Sequence, residues 1–318
     1  MGLYYVAHRL FAAHDRALGA YVAQRLARHV GANAVFLPFC DTDEEELTDA
    51  CKGRRLFELD CERLRRIDGM LALLHGPSLD DGVCMEIGYA AALGVPVVAM
   101  TTDFQTYGHT SDGRPFAFPD PLFDILLTEV VRVHRLAPPP AATTDRFEAF
   151  MYRNLQPVHA AADQAITALL RARPRIAAGP ATAMAGVRGA FIELPAYPRH
   201  GPWHQAARLL RSLGWEVHLA TRFHEPAEPR DAAQADWAAS LTAGLTLIDA
   251  SGPETPPGAA LLTGACAATG RPVLAADPCG WWTFADGREP NWRNLMIQYA
   301  VSGRFTSIGE LGALVAGL

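Results

Sequence analysis

The stretch from residue 70 to residue 100 constrains the fold of this chain most. It opens with an apolar run, Met70–Leu74, which is typical of a buried strand in a parallel sheet. A helical segment follows, with Asp80-Asp81 before it as candidate caps and Gly94–Pro96 as its end. The apolar run Val97–Met100 is then the next strand. A strand, a helix and a strand in this order predict a parallel crossover unit.

A single acidic residue, Glu86, lies in this helix between Met85 and Ile87. Parallel α/β sheets carry their chemistry at the carboxyl ends of the strands, where the N-terminus of the next helix favours an ionised carboxylate. A carboxylate held there is suited to act as a nucleophile. The alternative is a helix glutamate exposed to solvent, and the spacing alone leaves both interpretations open.

The rest of the first half alternates in the same way. Apolar patterns predict strands at residues 3–7 and 34–39 and helices at 11–30 and 57–66. Beyond a long polar loop they predict a helical or mixed segment at 121–127 and a strand at 130–133. A helix at about 144–170 follows, which Pro157 bends or ends. This alternation predicts a doubly wound parallel α/β sheet. Residues 174–186 lack periodicity and are interpreted as a linker between domains at 1–173 and 187–318.

The second half repeats the turn residues of the first. Gly76-Pro77 recurs 176 residues later as Gly252-Pro253. The same interval relates Gly82 to Gly258, Gly88 to Gly264, Gly94 to Gly270 and Pro96 to Pro272. Glycines mark tight turns and close backbone approaches, so these matches predict two tandem domains of one fold that form a fused pseudo-dimer.

The acidic residues of the first half do not recur in the second. Glu86 corresponds to Leu262, Asp68 to Gly244, Asp80 to Pro256, and Tyr5 to Ile192 or a neighbour. We therefore expect the second half to keep the scaffold without being an independent active site.

Composition narrows the class of protein. The chain has 318 residues, a formal net charge of -6 and no basic run, which argues against a nucleic-acid binder. Its six cysteines contain no C-x-x-C pair, so reduced thiols in a cytoplasmic protein are expected. We find no signal peptide and no apolar segment long enough for a membrane span. The acidic run Asp43–Glu46 has no accompanying ligand set, so no metal site is predicted.

Residues 3–130 resemble the nucleoside 2-deoxyribosyltransferase family. Tyr5–Phe11 is similar to the family's first strand and loop, Leu37–Phe39 to its second strand, and Thr102–Phe104 to the segment after its fourth strand. The most specific likeness is that of Gly76–Ala90 to the nucleophile motif. The resemblance implies two tandem doubly wound domains of the flavodoxin-like or Rossmann-like kind.

In the second half, Asn294–Tyr299 is similar to the family's Asn-Leu-Met segment, which reaches the sugar from a neighbouring subunit. The first half has Asp120 at the corresponding place. The resemblance implies one site per chain, to which the second half contributes Asn294. The alternative is that Asn294 only caps a helix.

The resemblance also implies a double displacement that needs no cofactor and no metal. Glu86 would attack C1′ of a 2′-deoxynucleoside, and a second nucleobase would attack the resulting deoxyribosyl-enzyme ester, with net retention. Tyr5 would hold Glu86 in line. Asp80, together with Asp68, would bind the base and transfer its proton, which requires a raised pKa.

Six residues are expected to bind the substrate: Asn294, His8, Arg9, Phe11, Gly82 and Met85. His8-Arg9 replaces the small residues usual in the family. Arg9 could read a carbonyl or a phosphate, pair with an acidic neighbour, or fill the pocket.

Three functions remain open: transfer between bases, N-glycosidase action on nucleosides or nucleoside 5′-monophosphates, and non-catalytic nucleotide sensing. Asp80 would repel a phosphate dianion and so favours a free nucleoside. The expected partners are small nucleosides and nucleobases of either class, without nucleic acid or membrane. Family members form dimers grouped into hexamers, which three fused chains could imitate, although a single chain could suffice.

Overall fold

We describe a computed structural model of the chain. The described residues are 2–42, 52–76, 78–110, 112–140, 145–175, 188–194, 196, 202–223, 228–277 and 291–318. The acidic run at 43–46 and residues 176–186 of the expected linker lie outside them.

The first half forms a parallel sheet with helices around it. Its strands are β1 (Tyr4–Ala7), β2 (Val35–Phe36), β3 (Gly69–Leu73) and β4 (Val97–Thr101), then the short β5 (Tyr107–His109) and β6 (Pro115–Phe116), and finally β7 (Glu129–Arg132). Its helices are α1 (Ala13–Val30), α2 (Lys52–Leu64), α3 (Asp81–Ala92), α4 (Leu122–Leu126) and α5 (Arg146–Arg171). The sheet order is β2-β1-β3-β4-β7, with every pair parallel. A doubly wound sheet was predicted and is confirmed.

Three local predictions for this half differ from the structure. The second strand is shorter than expected, because the carboxylate of Asp41 accepts a hydrogen bond from the Leu37 N–H and turns the chain. The polar loop contains the antiparallel pair β5–β6. Helix α5 runs unbroken through Pro157. A proline deprives the carbonyl four residues earlier of its helical donor, and here the Ala137 N–H donates to the Arg153 carbonyl at 2.9 Å.

The second half forms another five-stranded parallel sheet. Its strands are β8 (Arg188–Ile192), β9 (Trp215–Leu219), β10 (Leu245–Asp249), β11 (Val273–Ala276) and β12 (Gly303–Phe305). Its helices are α6 (Trp203–Ser212), α7 (Pro229–Thr242), α8 (Pro257–Thr269), α9 (Leu295–Ala300) and α10 (Ile308–Ala316). The order β9-β8-β10-β11-β12 is that of the first sheet, strand for strand.

The two halves meet through α3 and α8. A Cβ on Gly88 would overlap the carbonyl of Leu261, and a Cβ on Gly264 would overlap the carbonyl of Met85. The contact is reciprocal, because the residues of each half that take part are 176 positions from their counterparts in the other. A twofold relation between like surfaces produces such a pattern. Only glycine permits this approach of the two backbones.

The remaining general features concern membranes and thiols. Among the described residues, no helix combines the length and hydropathy needed to span a bilayer. In the same residues Cys61, Cys84 and Cys266 are buried free thiols, Cys40 is an exposed one, and no group of side chains is arranged to hold a metal ion.

Candidate active site

Asp80 begins the site at the N-terminus of α3. It is the N-cap residue, and its Oδ1 accepts a hydrogen bond from the Val83 N–H at 2.9 Å. Burial, reinforced by the neighbouring carboxylate of Asp81, raises the pKa of Asp80 to about 7. The Val83 N–H and the Arg9 guanidinium offset only part of that rise. Asp80 can therefore give up or accept a proton near neutral pH.

Glu86 lies six residues further along α3, a little over one and a half turns, and is held by Tyr5 of β1. The Tyr5 hydroxyl donates to Glu86 Oε1 at 2.7 Å, and Glu86 is 6% exposed. The alternative of a solvated helix glutamate is therefore wrong. Burial and the charges of Asp60 and Glu86 raise the pKa of Tyr5 well above its usual value, so the phenol remains a donor.

Asn294 reaches this region from the second half. It caps α9, with its Oδ1 accepting from the Met296 N–H at 3.0 Å. The same side chain lies over Gly82 in the first turn of α3, where a Cβ would be 2.7 Å from Asn294 Nδ2. Asn294 therefore both caps α9 and lies beside α3, so the two interpretations of this residue are compatible. Asp81 adds a second link between the halves by accepting from the Thr255 N–H at 3.1 Å.

Arg9 also crosses between the halves. Its Nη2 donates to Glu254 Oε1 at 3.1 Å, and its Nε is 3.9 Å from Asp80 Oδ2. Glu254 Oε2 in turn accepts from the Ser78 hydroxyl at 2.8 Å. Of the roles considered for Arg9, the structure shows the pairing with acidic neighbours, while the side chain stays 42% exposed.

Three other expected substrate contacts have different surroundings. His8 is buried, its ring fills the space beside Gly19 of α1, and burial lowers its pKa. Met85 is fully buried, and its backbone packs on α8. The ring of Phe11 is 70% exposed. His8 and Met85 therefore pack in the interior, while Phe11 faces solvent.

Asp68 is not brought to the site. It precedes β3 and so lies at the amino edge of the parallel sheet, whereas α3 begins beyond the carboxyl edge. There Asp68 and Leu3 bind each other: the Leu3 N–H donates to Asp68 Oδ2 at 2.7 Å, and the Asp68 N–H donates to the Leu3 carbonyl. Its expected role beside Asp80 gives way to one of positioning the start of β1.

His75 is a residue that the sequence reasoning missed. It follows β3 at the carboxyl edge, and its Nδ1 accepts from the Thr102 N–H at 3.2 Å, so the ring proton is on Nε2. Nε2 is buried, and no described residue pairs with it. Burial lowers the pKa of His75, which favours the neutral ring. Its place as the first polar residue after the apolar run Met70–Leu74 was the available signal.

At the corresponding place in the second half, the described residues lack both the carboxylate of Glu86 and the hydroxyl of Tyr5. Leu262 stands at the position of Glu86. Phe191 pairs with β10 as Tyr5 pairs with β3, so the counterpart of Tyr5 is Phe191, a neighbour of Ile192. Phe191 keeps the aromatic ring but lacks the hydroxyl.

A buried ion cluster fills that second place. Arg222 donates to Asp120 through Nε at 2.8 Å and through Nη2 at 2.7 Å, and to Glu193 Oε2 through Nη1 at 2.9 Å. Its Nη1 is also 3.3 Å from Asp236 Oδ2. The cluster packs so closely on Gly258 that a Cβ there would overlap Arg222 and Asp120. Gly258 and Asp120 are the counterparts of Gly82 and Asn294.

One family model matches the N-terminal part of the chain. Residues 4–119 match the sequence model of the nucleoside 2-deoxyribosyltransferase family, so the expected resemblance is confirmed for the N-terminal part. The chain is also similar to the crystal structure of a conserved protein from Enterococcus faecalis V583, with 25% identity over 49% of this chain and 98% of that one and a TM-score of 0.34. No curated protein matches the chain.

Proposed function

We propose that this chain, whose residues 4–119 match the model of the nucleoside 2-deoxyribosyltransferase family, moves 2-deoxyribose from one nucleobase to another through a covalent bond to Glu86. The observation that carries the proposal is the buried hydrogen bond from Tyr5 to Glu86. It holds a carboxylate nucleophile at the carboxyl edge of the sheet, close in sequence to Asp80, whose pKa suits proton transfer.

The first displacement forms the ester. A Glu86 oxygen attacks C1′ of a 2′-deoxynucleoside, the C1′–N bond breaks, and its electron pair goes to the departing base. Protonated Asp80 gives its proton to that base. The Tyr5 hydroxyl orients the attacking carboxylate. Its hydrogen bond to that oxygen weakens once the oxygen is part of an ester and no longer charged.

The second displacement reverses the first. Ionised Asp80 removes a proton from an incoming nucleobase, whose nitrogen attacks C1′, and the C1′–Glu86 bond breaks. The enzyme returns to its starting state, and the sugar keeps its configuration after two inversions. His75 Nε2–H lies at the same edge of the sheet and can donate to an acceptor on the base.

We infer further that the chain is a fused pseudo-dimer with one active site. In this account, residues 1–173 form the catalytic domain and residues 187–318 form a degenerate repeat that contributes Asn294 to the sugar. The matched strand orders, the reciprocal contact of α3 with α8, and the place of Asn294 over Gly82 support it. The Arg222 cluster keeps the second place closed to a nucleoside.

The test is base exchange from 2′-deoxyinosine to adenine or cytosine, followed by chromatography. Glu86→Ala should abolish the new deoxynucleoside. A matched control, Glu62→Ala, removes an exposed helix glutamate that pairs with Arg66 and should leave exchange unchanged. Hypoxanthine released without exchange would indicate a hydrolase instead. Inactivity toward deoxynucleosides and their 5′-monophosphates alike would refute the enzymatic proposal.

A further inference from the structure

Glu254 of the second half reaches the candidate active site from the loop between β10 and α8. Its two carboxylate oxygens bind different residues of the first half. Oε1 accepts from Arg9 Nη2 at 3.1 Å, and Oε2 accepts from the Ser78 hydroxyl at 2.8 Å. Glu254 therefore links the residue two positions before Asp80 to the arginine that lies beside Asp80.

Ser78 and Glu254 are counterparts of each other. They are 176 positions apart, the interval that relates the glycines of the two halves. A contact between counterparts lies where a twofold axis passes, and in a dimer of identical chains the same residue would stand on both sides of that axis. Two glutamates there would repel each other. A fused chain permits one serine and one glutamate, so the second half can supply a carboxylate at a place where the first half has none.

Arg9 lies between two carboxylates and donates to only one of them. Its Nη2 is at hydrogen-bond distance from Glu254, whereas its Nε is 3.9 Å from Asp80 Oδ2, which is too far for a hydrogen bond. A guanidinium that donated directly to Asp80 would favour the ionised carboxylate and lower its pKa. The carboxylate of Glu254 therefore competes with that of Asp80 for the same cation.

Few charged groups face Asp80 in the described part of the chain. Asp81 follows it in α3, Arg9 comes from the loop after β1, and Glu254 comes from the second half. The thiol of Cys84 is neutral, because burial raises its pKa well above the usual value. The two carboxylates reinforce the effect of burial on the pKa of Asp80, and the guanidinium opposes it. The distance from Arg9 to Asp80 therefore affects how readily Asp80 holds a proton.

We propose that Glu254 is a positioning residue of the active site: by binding Arg9, it keeps the guanidinium from donating directly to Asp80, which remains available for proton exchange with the base. The inference rests on the proposed function for the use of that proton. It gives the second half, which has Leu262 at the position of Glu86, a task besides the placing of Asn294.

The experiment is a carboxyl ¹³C NMR titration of the full chain with labelled aspartates, in which Asp80→Asn identifies the signal of Asp80. Glu254→Gln keeps the shape of the side chain and removes its charge. Arg9 is then released, and the pKa of Asp80 should fall by about half a unit or more. Arg9→Gln should raise this pKa. The matched control, Glu216→Gln at an exposed glutamate of β9, should leave it unchanged.

The charge of Glu254 also acts on Asp80 directly, and a double variant separates the two effects. When Arg9→Gln is already present, no guanidinium remains to move toward Asp80. Adding Glu254→Gln should then lower the pKa of Asp80 by much less than it does in the wild type. Equal shifts in the two backgrounds, or no shift in the wild-type background, would overturn the proposal.

The titration needs no substrate, so it tests the positioning role separately from the proposed reaction. In the base-exchange assay, Glu254→Gln should move the decline of the transfer rate to lower pH, the direction opposite to that of Arg9→Gln. A wild-type protein that exchanges no base, while Asp80 responds to Glu254→Gln, would refute the proposed function alone. Base exchange by a protein in which Glu254→Gln leaves the titration of Asp80 unchanged would refute the positioning role alone.

Discussion

Replacing Arg222 with methionine would leave three carboxylates buried without the cation that they share. Arg222 has no exposed side-chain surface, and the side chains of Asp120, Glu193 and Asp236 are 5%, 3% and 0% exposed. Methionine keeps most of the apolar stem and removes only the guanidinium. The variant therefore measures the electrostatic part of the cluster rather than a cavity.

The magnitude follows from this burial. Removing one partner of a buried ion pair costs about 3–5 kcal/mol, because the remaining charge is left without compensation. The two bidentate contacts of Arg222, to Asp120 and Glu193, place the loss in that range rather than among the surface pairs. At about 2 °C per kcal/mol for a chain of this size, the melting temperature should fall by about 6–10 °C.

The loss should also depend on pH. Burial raises the pKa of Glu193 to about 7, above its unfolded value, although Arg222 opposes the rise. The stabilisation linked to this raised pKa is present at low pH and is lost as the pH rises through about 7. A protonated Glu193 needs a counter-charge less than an ionised one does. We therefore expect Arg222→Met to lose less stability at pH 5.5 than at pH 8.

Thermal unfolding at both pH values measures the effect, with Arg230→Met as the matched control. Arg230 is 47% exposed and pairs with Asp124 at 3.4 Å, so its loss should cost less than about 1 kcal/mol. Adding Glu193→Gln to Arg222→Met should recover part of the lost stability. An Arg222→Met protein that melts within about 1 °C of the wild type at pH 8 would refute this reasoning, as would equal losses at pH 5.5 and 8.

Three further predictions concern the first half. The transfer rate should fall as the pH rises through about 7, because Asp80 must be protonated to donate. Arg9→Gln should move this decline to higher pH, because Arg9 lowers the pKa of Asp80. A pH–rate profile unaffected by Arg9→Gln would contradict this. Gly88→Ala should lower the free energy of unfolding, measured in urea, by about 1–3 kcal/mol or more, since its Cβ would overlap the backbone of α8. Gly312→Ala is the control: its Cβ would meet one side-chain atom at 3.7 Å, so this change should be neutral or stabilising. Tyr5→Phe should lower the transfer rate about 10- to 100-fold in steady-state assays through the loss of a hydrogen bond to a charged group, and an unchanged rate would exclude its positioning role.

Local signals explain how much of the fold could be predicted. Helix α3 begins and ends close to the predicted places, because Asp80 caps it and Gly94, with a φ of 75°, follows its end. The limits of β2 and the continuity of α5 could not be read in the same way. The first depends on the Asp41 side chain, and the second on an acceptor site at Arg153 that a distant N–H fills. The hydrophobic periodicity of the sequence gives no information about either of these two contacts.

Of the candidate site, too, only a part could be predicted from the sequence. The place of Glu86 in the helix after an apolar strand, and the likeness of Gly76–Ala90 to the family's motif, indicated this residue as a candidate. The structure adds the hydrogen bond from Tyr5, a contact between residues 81 positions apart. Asp68 was assigned by likeness to a family position, but its place before β3 puts it at the opposite edge of the sheet. The Arg222 cluster joins residues as far as 102 positions apart, so no local sequence pattern predicts it.

The central claim is that Glu86 is a nucleophile in a single site per chain, and covalent trapping tests it most directly. A 2-fluoro-2-deoxynucleoside slows hydrolysis of the glycosyl-enzyme ester more than its formation, so the ester accumulates. Intact-mass measurement should show one sugar adduct per chain, peptide mapping should place it on Glu86, and Glu86→Gln should show none. An adduct on another residue, two adducts per chain, or turnover of deoxynucleosides with no adduct at all would contradict the account.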